Sequence, residues 1–99
     1  MIKHIVMWTL AAESEQQRAA DTEAITTSLE RLVGIVPGLR SLTVTANTED
    51  VPLNYDLVLQ SEFDDRPALD TYLDHPEHLA AVDIVRPRVS GRAAIDVAS

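Results

Sequence analysis

The chain has 99 residues, 45% hydrophobic and 24% charged, with 16 acidic residues against 8 basic ones and a net charge of −8. A chain this short buries only about 60–65% of its unfolded surface, so residues 1–99 make one domain with one modest core. The acidic balance excludes the electrostatic footprint of a nucleic-acid binder and disfavours anionic membranes. The absence of cysteine excludes disulfides, thiolate zinc sites and cysteine nucleophiles.

The opening MIKHIVMWTLAAESE breaks its apolar run at His4 and turns acidic by Glu13, unlike a signal peptide. No window approaches 18 apolar residues, so no transmembrane helix is expected and a cytoplasmic location is the default. Ile2 to Leu10 is rich in β-branched and aromatic residues and reads as a strand. Ile2, Val6, Trp8 and Leu10 lie on one face, Ile5 and Met7 on the other, so the strand expects cover on both sides.

Ser14 followed by Gln17 reads as a capping box. From there to Val33, the apolar residues Ala20, Ala24, Ile25, Leu29, Leu32 and Val33 recur at helical spacing, and Gly34 is a natural stop. After the Pro37–Gly38 turn, Leu39 to Asn47 alternates as an edge strand. NTEDVPLN is a polar loop. Tyr55 to Phe63 is a third strand, with Leu57, Leu59, Ser61 and Phe63 on one face. A helix runs from Asp64–Asp65 to Asp74 and a second from Pro76 to about Val85, where Arg86–Pro87 ends it. Gly91 to Val97 is the last strand.

The order β-α-β-β-α-β is the split βαβ arrangement, an α+β ferredoxin-like subunit. Its sheet is expected to be antiparallel and four-stranded, with the helices on one face and the first strand between the third and fourth. The helix-free face then carries Ile5, Met7, Val58, Ile95 and Val97. An apolar set of that kind marks an interface, here a homodimer of two sheets packed face to face with a barrel-like core.

The chemistry concentrates in ALDTYLDHPEH, residues 68 to 78. Pro76 suits the first position of a helix, so one helix ends near Asp74 and the next begins there. His78 falls in the first turn of the second helix, where the positive end of the dipole disfavours the imidazolium. A neutral imidazole beside the Tyr72 phenol is an acid–base pair. The alternative is a histidine satisfied at a helix start and a tyrosine anchored in a loop. His75 and His78 are three apart, not the four-residue spacing of zinc peptidases, so no metal or other cofactor is expected.

Antiparallel pairing of the first and last strands sets His4 opposite Asp96. Such a pair either orients His78 or recognises an acidic group, or it is a cross-strand ion pair that only supports the sheet. Arg86, Arg88 and Arg92 cluster near the end. Solvation or pairing with the abundant carboxylates is the commoner explanation, anchoring of a ligand carboxylate or phosphate the functional one.

Four segments in this order, IKHIVMW, NYDLVLQSEF, YLDHPEH and VRPRVSGRAAIDV, resemble the stress-responsive A/B barrel (Dabb) family over nearly the whole chain. The resemblance implies a ferredoxin-like subunit that dimerises through its sheet into an α+β barrel. Within that family olivetolic acid cyclase closes a linear polyketide without a cofactor, using a tyrosine and a histidine in a Y-x-x-H-P-x-H segment. By this resemblance Tyr72 and His78 are the catalytic candidates, while His4, His75 and Asp96 match further site positions. Trp8 and Leu57 complete the expected substrate-contacting set. The chain departs from that enzyme in carrying Leu57 where it has a third-strand histidine, and Ala20 and Ala24 where its tunnel wall is aromatic.

The reading is a cofactor-free cyclase or lyase that binds a small carbonyl or polyketide-like ligand between sheet and helices. A mostly apolar cavity of about 300 Å³ or more, lined by Tyr72 and His78, favours a binding or catalytic role. The competing classes are a non-catalytic stress or scaffold protein, which needs no cavity, and a cofactor-independent monooxygenase.

Overall fold

The alternating segment Ile2–Leu10 forms β1, which sits inside the sheet and pairs on both edges. The computed structural model describes residues 1–99 and continues with α1 (Glu15–Glu30), β2 (Leu39–Ala46), β3 (Leu57–Phe63), α2 (Arg66–Asp74), α3 (Pro76–Val85), a 3-10 turn (Arg86–Arg88) and β4 (Val89–Ala98). The sheet order is β2-β3-β1-β4, with every pair antiparallel. This is the ferredoxin-like arrangement anticipated from sequence, with β2 at one edge and β4 at the other.

Register decides which side chains meet the helices. On β1, His4, Val6, Trp8 and Leu10 are buried, and the first three pair across β3 with Ser61, Leu59 and Leu57. With Ile25, Leu29 and Leu32 from the α1 region, Phe63, and Leu69 and Tyr72 from α2, they form the core. No helix of the chain is long and apolar enough to cross a membrane.

Local chemistry explains the element ends, with three corrections. Ser14 caps α1 by accepting from the Gln17 N–H at 3.2 Å, but the Gln17 amide turns to Asp21 at 2.9 Å instead of closing the box. The regular helix ends at Glu30, short of Val33, because the chain tightens into a turn that buries Leu32 and Val36 and leaves Val33 exposed. The third strand begins at Leu57, two residues later than Tyr55; Asp56 still bonds the Trp8 carbonyl and the Asn47 N–H through its backbone, while its carboxylate accepts from the Leu10 N–H at 2.8 Å and the Arg18 guanidinium at 2.7 Å.

Gly38 is required where it stands. Its φ is +83°, and a Cβ there would lie 2.6 Å from the Ala68 Cβ. Only glycine suits both that conformation and that approach, which lets the turn into β2 pack on α2. The break between α2 and α3 is equally local. His75 is extended (φ −65°, ψ 133°), as a residue before proline prefers, and Asp65 caps α2 by accepting from the Ala68 N–H. The break places Tyr72 at the end of one helix and His78 at the start of the next.

Candidate active site

A cavity of about 200 Å³ opens between β1, β3 and the α2–α3 break. Val6, Trp8, Leu29, Leu59, Val82, Val85 and Val89 give it apolar walls, and His4, Tyr72, His78, Arg86 and Arg92 are its polar groups. It is smaller than the size anticipated from sequence. That volume accommodates a compact ligand.

Tyr72 and His78 are brought together: their ring centroids are 4.1 Å apart, with planes inclined by 37°. Tyr72 is only 1% exposed, and burial pushes its phenol well above the ordinary range. Its hydroxyl forms no hydrogen bond within the protein, yet it is not sealed from the cavity. The His78 imidazole is held below its usual value, mainly by burial. The proximity of His4, Arg92 and His75 pushes the same way, and the Leu73 carbonyl opposes. The neutral imidazole anticipated from the helix dipole is thus present, but desolvation is its chief cause.

The Leu73 carbonyl lies 3.3 Å from His78 Nδ1. A carbonyl only accepts, so Nδ1 carries the proton and Nε2 keeps the lone pair. His4 Nδ1 likewise donates, to the Asp96 carboxylate 2.5 Å away. The His4 side chain is buried and Asp96 half-exposed, so this is no ordinary surface pair. The pair does not hydrogen-bond His78. The Tyr72 ring centroid lies 6.2 Å from that of His4, and the orienting contact of His78 is the Leu73 carbonyl.

Two further sequence candidates lie elsewhere. His75 caps α3: its Nδ1 accepts from the Glu77 N–H at 3.1 Å, and it does not line the cavity. Leu57 is buried in the core beside Trp8 in register and is also absent from the lining. Ala20 and Ala24 border a separate hollow with Arg31 and Ile84. Trp8 does line the cavity. No three His, Asp or Glu side chains converge as metal ligands would.

Arg86 and Arg92 are solvent-exposed, as solvated charge would be, and both also line the cavity, as an anchor would. The available signal was register, since Arg92 pairs with Trp8 on the helix side of the sheet. Arg88, by contrast, is spent on structure, donating to the Ile84 carbonyl at 2.7 Å beside buried Asp21.

Residues 2–99 match the profile of the Stress responsive A/B Barrel Domain. The chain belongs to that family. An uncharacterized protein of Streptomyces coelicolor is 35% identical over 89 residues, covering 87% of this chain and 88% of that protein. A dimeric protein of ferredoxin-like fold from Bacteroides fragilis superposes with a TM-score of 0.87 at 27% identity, covering 97% of this chain and 93% of its own. A dimeric ferredoxin-like protein from Thermobifida fusca gives 0.82 at 27% identity, covering 99% and 90%. The chain shares their ferredoxin-like fold.

Proposed function

We propose that this A/B barrel protein is a cofactor-free acid–base catalyst acting on a small carbonyl compound. The observation that carries the reading is the pairing of the Tyr72 and His78 rings, centroids 4.1 Å apart, on one largely apolar cavity, with burial raising the phenol and lowering the imidazole. His78 Nε2 takes the proton from the carbon alpha to a carbonyl. The electron pair of that C–H bond moves onto the carbonyl oxygen, and Tyr72 donates a hydrogen bond to the resulting enolate. The imidazolium returns its proton to carbon, or to the oxygen formed when the enolate attacks a second carbonyl. His4, held by Asp96, sets its ring edge-on to that of Tyr72.

The working unit is a homodimer joined through the helix-free face. Ile95 is 59% exposed there and Val97 and Met7 are also exposed, an apolar surface that a second copy would cover. The dimeric state of the Bacteroides and Thermobifida proteins supports this reading.

The test uses pentane-2,4-dione in D₂O, with deuterium uptake at its central carbon followed by NMR. The protein accelerates exchange above buffer, and both Tyr72→Phe and His78→Ala lower the protein-dependent rate by about 10²-fold or more. Folded variants that exchange at the wild-type rate overturn the assignment. A non-catalytic scaffold gives no acceleration with any of the three.

A further inference from the structure

The cavity has a charge character that the acid–base pair does not use. The protein carries twice as many acidic as basic side chains, so a cation without a carboxylate partner is uncommon in it. Arg18, Arg31, Arg40, Arg66 and Arg88 each lie within ion-pair distance of an Asp or Glu. Lys3, Arg86 and Arg92 do not. Two of those three line the same cavity, and no carboxylate lines it with them.

The two arginines come from different elements. Arg86 caps the C-terminus of α3 and opens the 3-10 turn. Arg92 lies on β4, opposite Trp8. Both are solvent-exposed while their side chains reach the cavity, so they stand at its mouth, with Tyr72 and His78 deeper. Guanidinium groups present paired N–H donors that match a planar carboxylate, and the walls between mouth and interior are apolar. The remaining carboxylate on this face of β4, Asp96, is taken by His4.

We infer that Arg86 and Arg92 form a carboxylate anchor at the mouth of the cavity, and that its ligand is a small keto or aromatic acid whose apolar body lies over Tyr72 and His78. The inference rests on the proposed acid–base reading for its chemistry but not for its binding. An anion held there places the acidic C–H bond inside and the charge outside.

The single tryptophan of the chain, Trp8, lines the cavity and reports binding without turnover. Titration with benzoate quenches or shifts Trp8 fluorescence, and the isosteric neutral benzamide binds at least tenfold more weakly. Arg86→Gln and Arg92→Gln, both at exposed positions, each weaken benzoate at least tenfold. Lys3→Gln, the same charge change outside the cavity, leaves it unaltered. Equal binding of benzoate and benzamide, unaltered affinity in the arginine variants, or an equal loss from Lys3→Gln overturns the anchor. Tighter binding of inorganic phosphate than of benzoate overturns the carboxylate assignment. Pentane-2,4-dione, which has no carboxylate, tests the catalytic pair separately. An arginine-dependent benzoate site without deuterium exchange leaves the anchor standing and removes the catalyst, and the reverse result does the opposite.

Discussion

Replacing Tyr72 with phenylalanine removes one oxygen from a side chain that is 1% exposed. A tyrosine that served the fold would pair its hydroxyl, and losing a made hydrogen bond costs about 0.5–1.5 kcal/mol. Here the hydroxyl has no partner in the protein, while the ring keeps its contacts with Phe63, at 5.0 Å between centroids, and with His78. Removing an unpaired polar atom recovers part of a desolvation penalty of about 1–3 kcal/mol. Because the oxygen reaches the cavity, only a fraction of that penalty applies. Tyr72→Phe is therefore from zero to about 1 kcal/mol more stable than wild type, a rise in Tm of zero to about 4–8 °C for a domain of this size. The pH dependence sharpens the test. Burial raises the folded-state phenol above its ordinary value, so its contribution is complete below about pH 10, where the unfolded chain begins to ionise. It is then lost as pH rises towards the folded value, by about 1.4 kcal/mol per pH unit. Urea titrations between pH 7 and 11 should show wild type losing stability above pH 10 faster than Tyr72→Phe. A variant destabilised by more than about 1 kcal/mol at pH 7, or parallel alkaline profiles, refutes the idea of a desolvated phenol kept free for a ligand.

Burial lowers the folded pKa of His78, so the stability it contributes is present above about pH 6.5 and is lost as pH falls through the folded value. The stability advantage of wild type over His78→Gln should shrink on acidification below pH 6.5, and the acid limb of deuterium exchange should lie below that pH. Asp96→Ala leaves the buried His4 Nδ1–H without its acceptor and should cost about 1–2 kcal/mol in urea denaturation; no loss would show the pair to be idle. Gly38→Ala combines a left-handed backbone, about 1–2 kcal/mol, with overpacking against Ala68, and should cost about 2–4 kcal/mol together. Ile95→Glu puts a charge on the helix-free face and should convert a dimer into a folded monomer on size-exclusion chromatography. A monomeric wild type refutes that interface.

Most of the architecture was legible in the chain because its determinants are local. Alternation in Ile2–Leu10 and in the strand ending at Phe63, Pro76 after an extended His75, and the Pro37–Gly38 turn each specify their own conformation within a few residues. The element order then leaves few topologies, and β1 falls between β3 and β4 as expected. The ends were less legible. The Asp56 carboxylate at the start of β3 is bonded to Leu10 and Arg18, partners 46 and 38 residues away, and helix periodicity does not reveal that Leu32 and Val36 are buried by a turn instead of a longer α1.

The site divides the same way. By itself the sequence determined that Tyr72 and His78 flank a proline break and that His4 can face Asp96, since helix phase and strand pairing follow from spacing. Tertiary structure alone decided that His75 is spent on a helix cap, that Leu57 belongs to the core, and that Arg86 and Arg92 open onto the cavity while Arg88 does not. It also decided why His78 is neutral. Desolvation and unpaired charge depend on what packs around a group from distant parts of the chain, and spacing along the chain carries no measure of that.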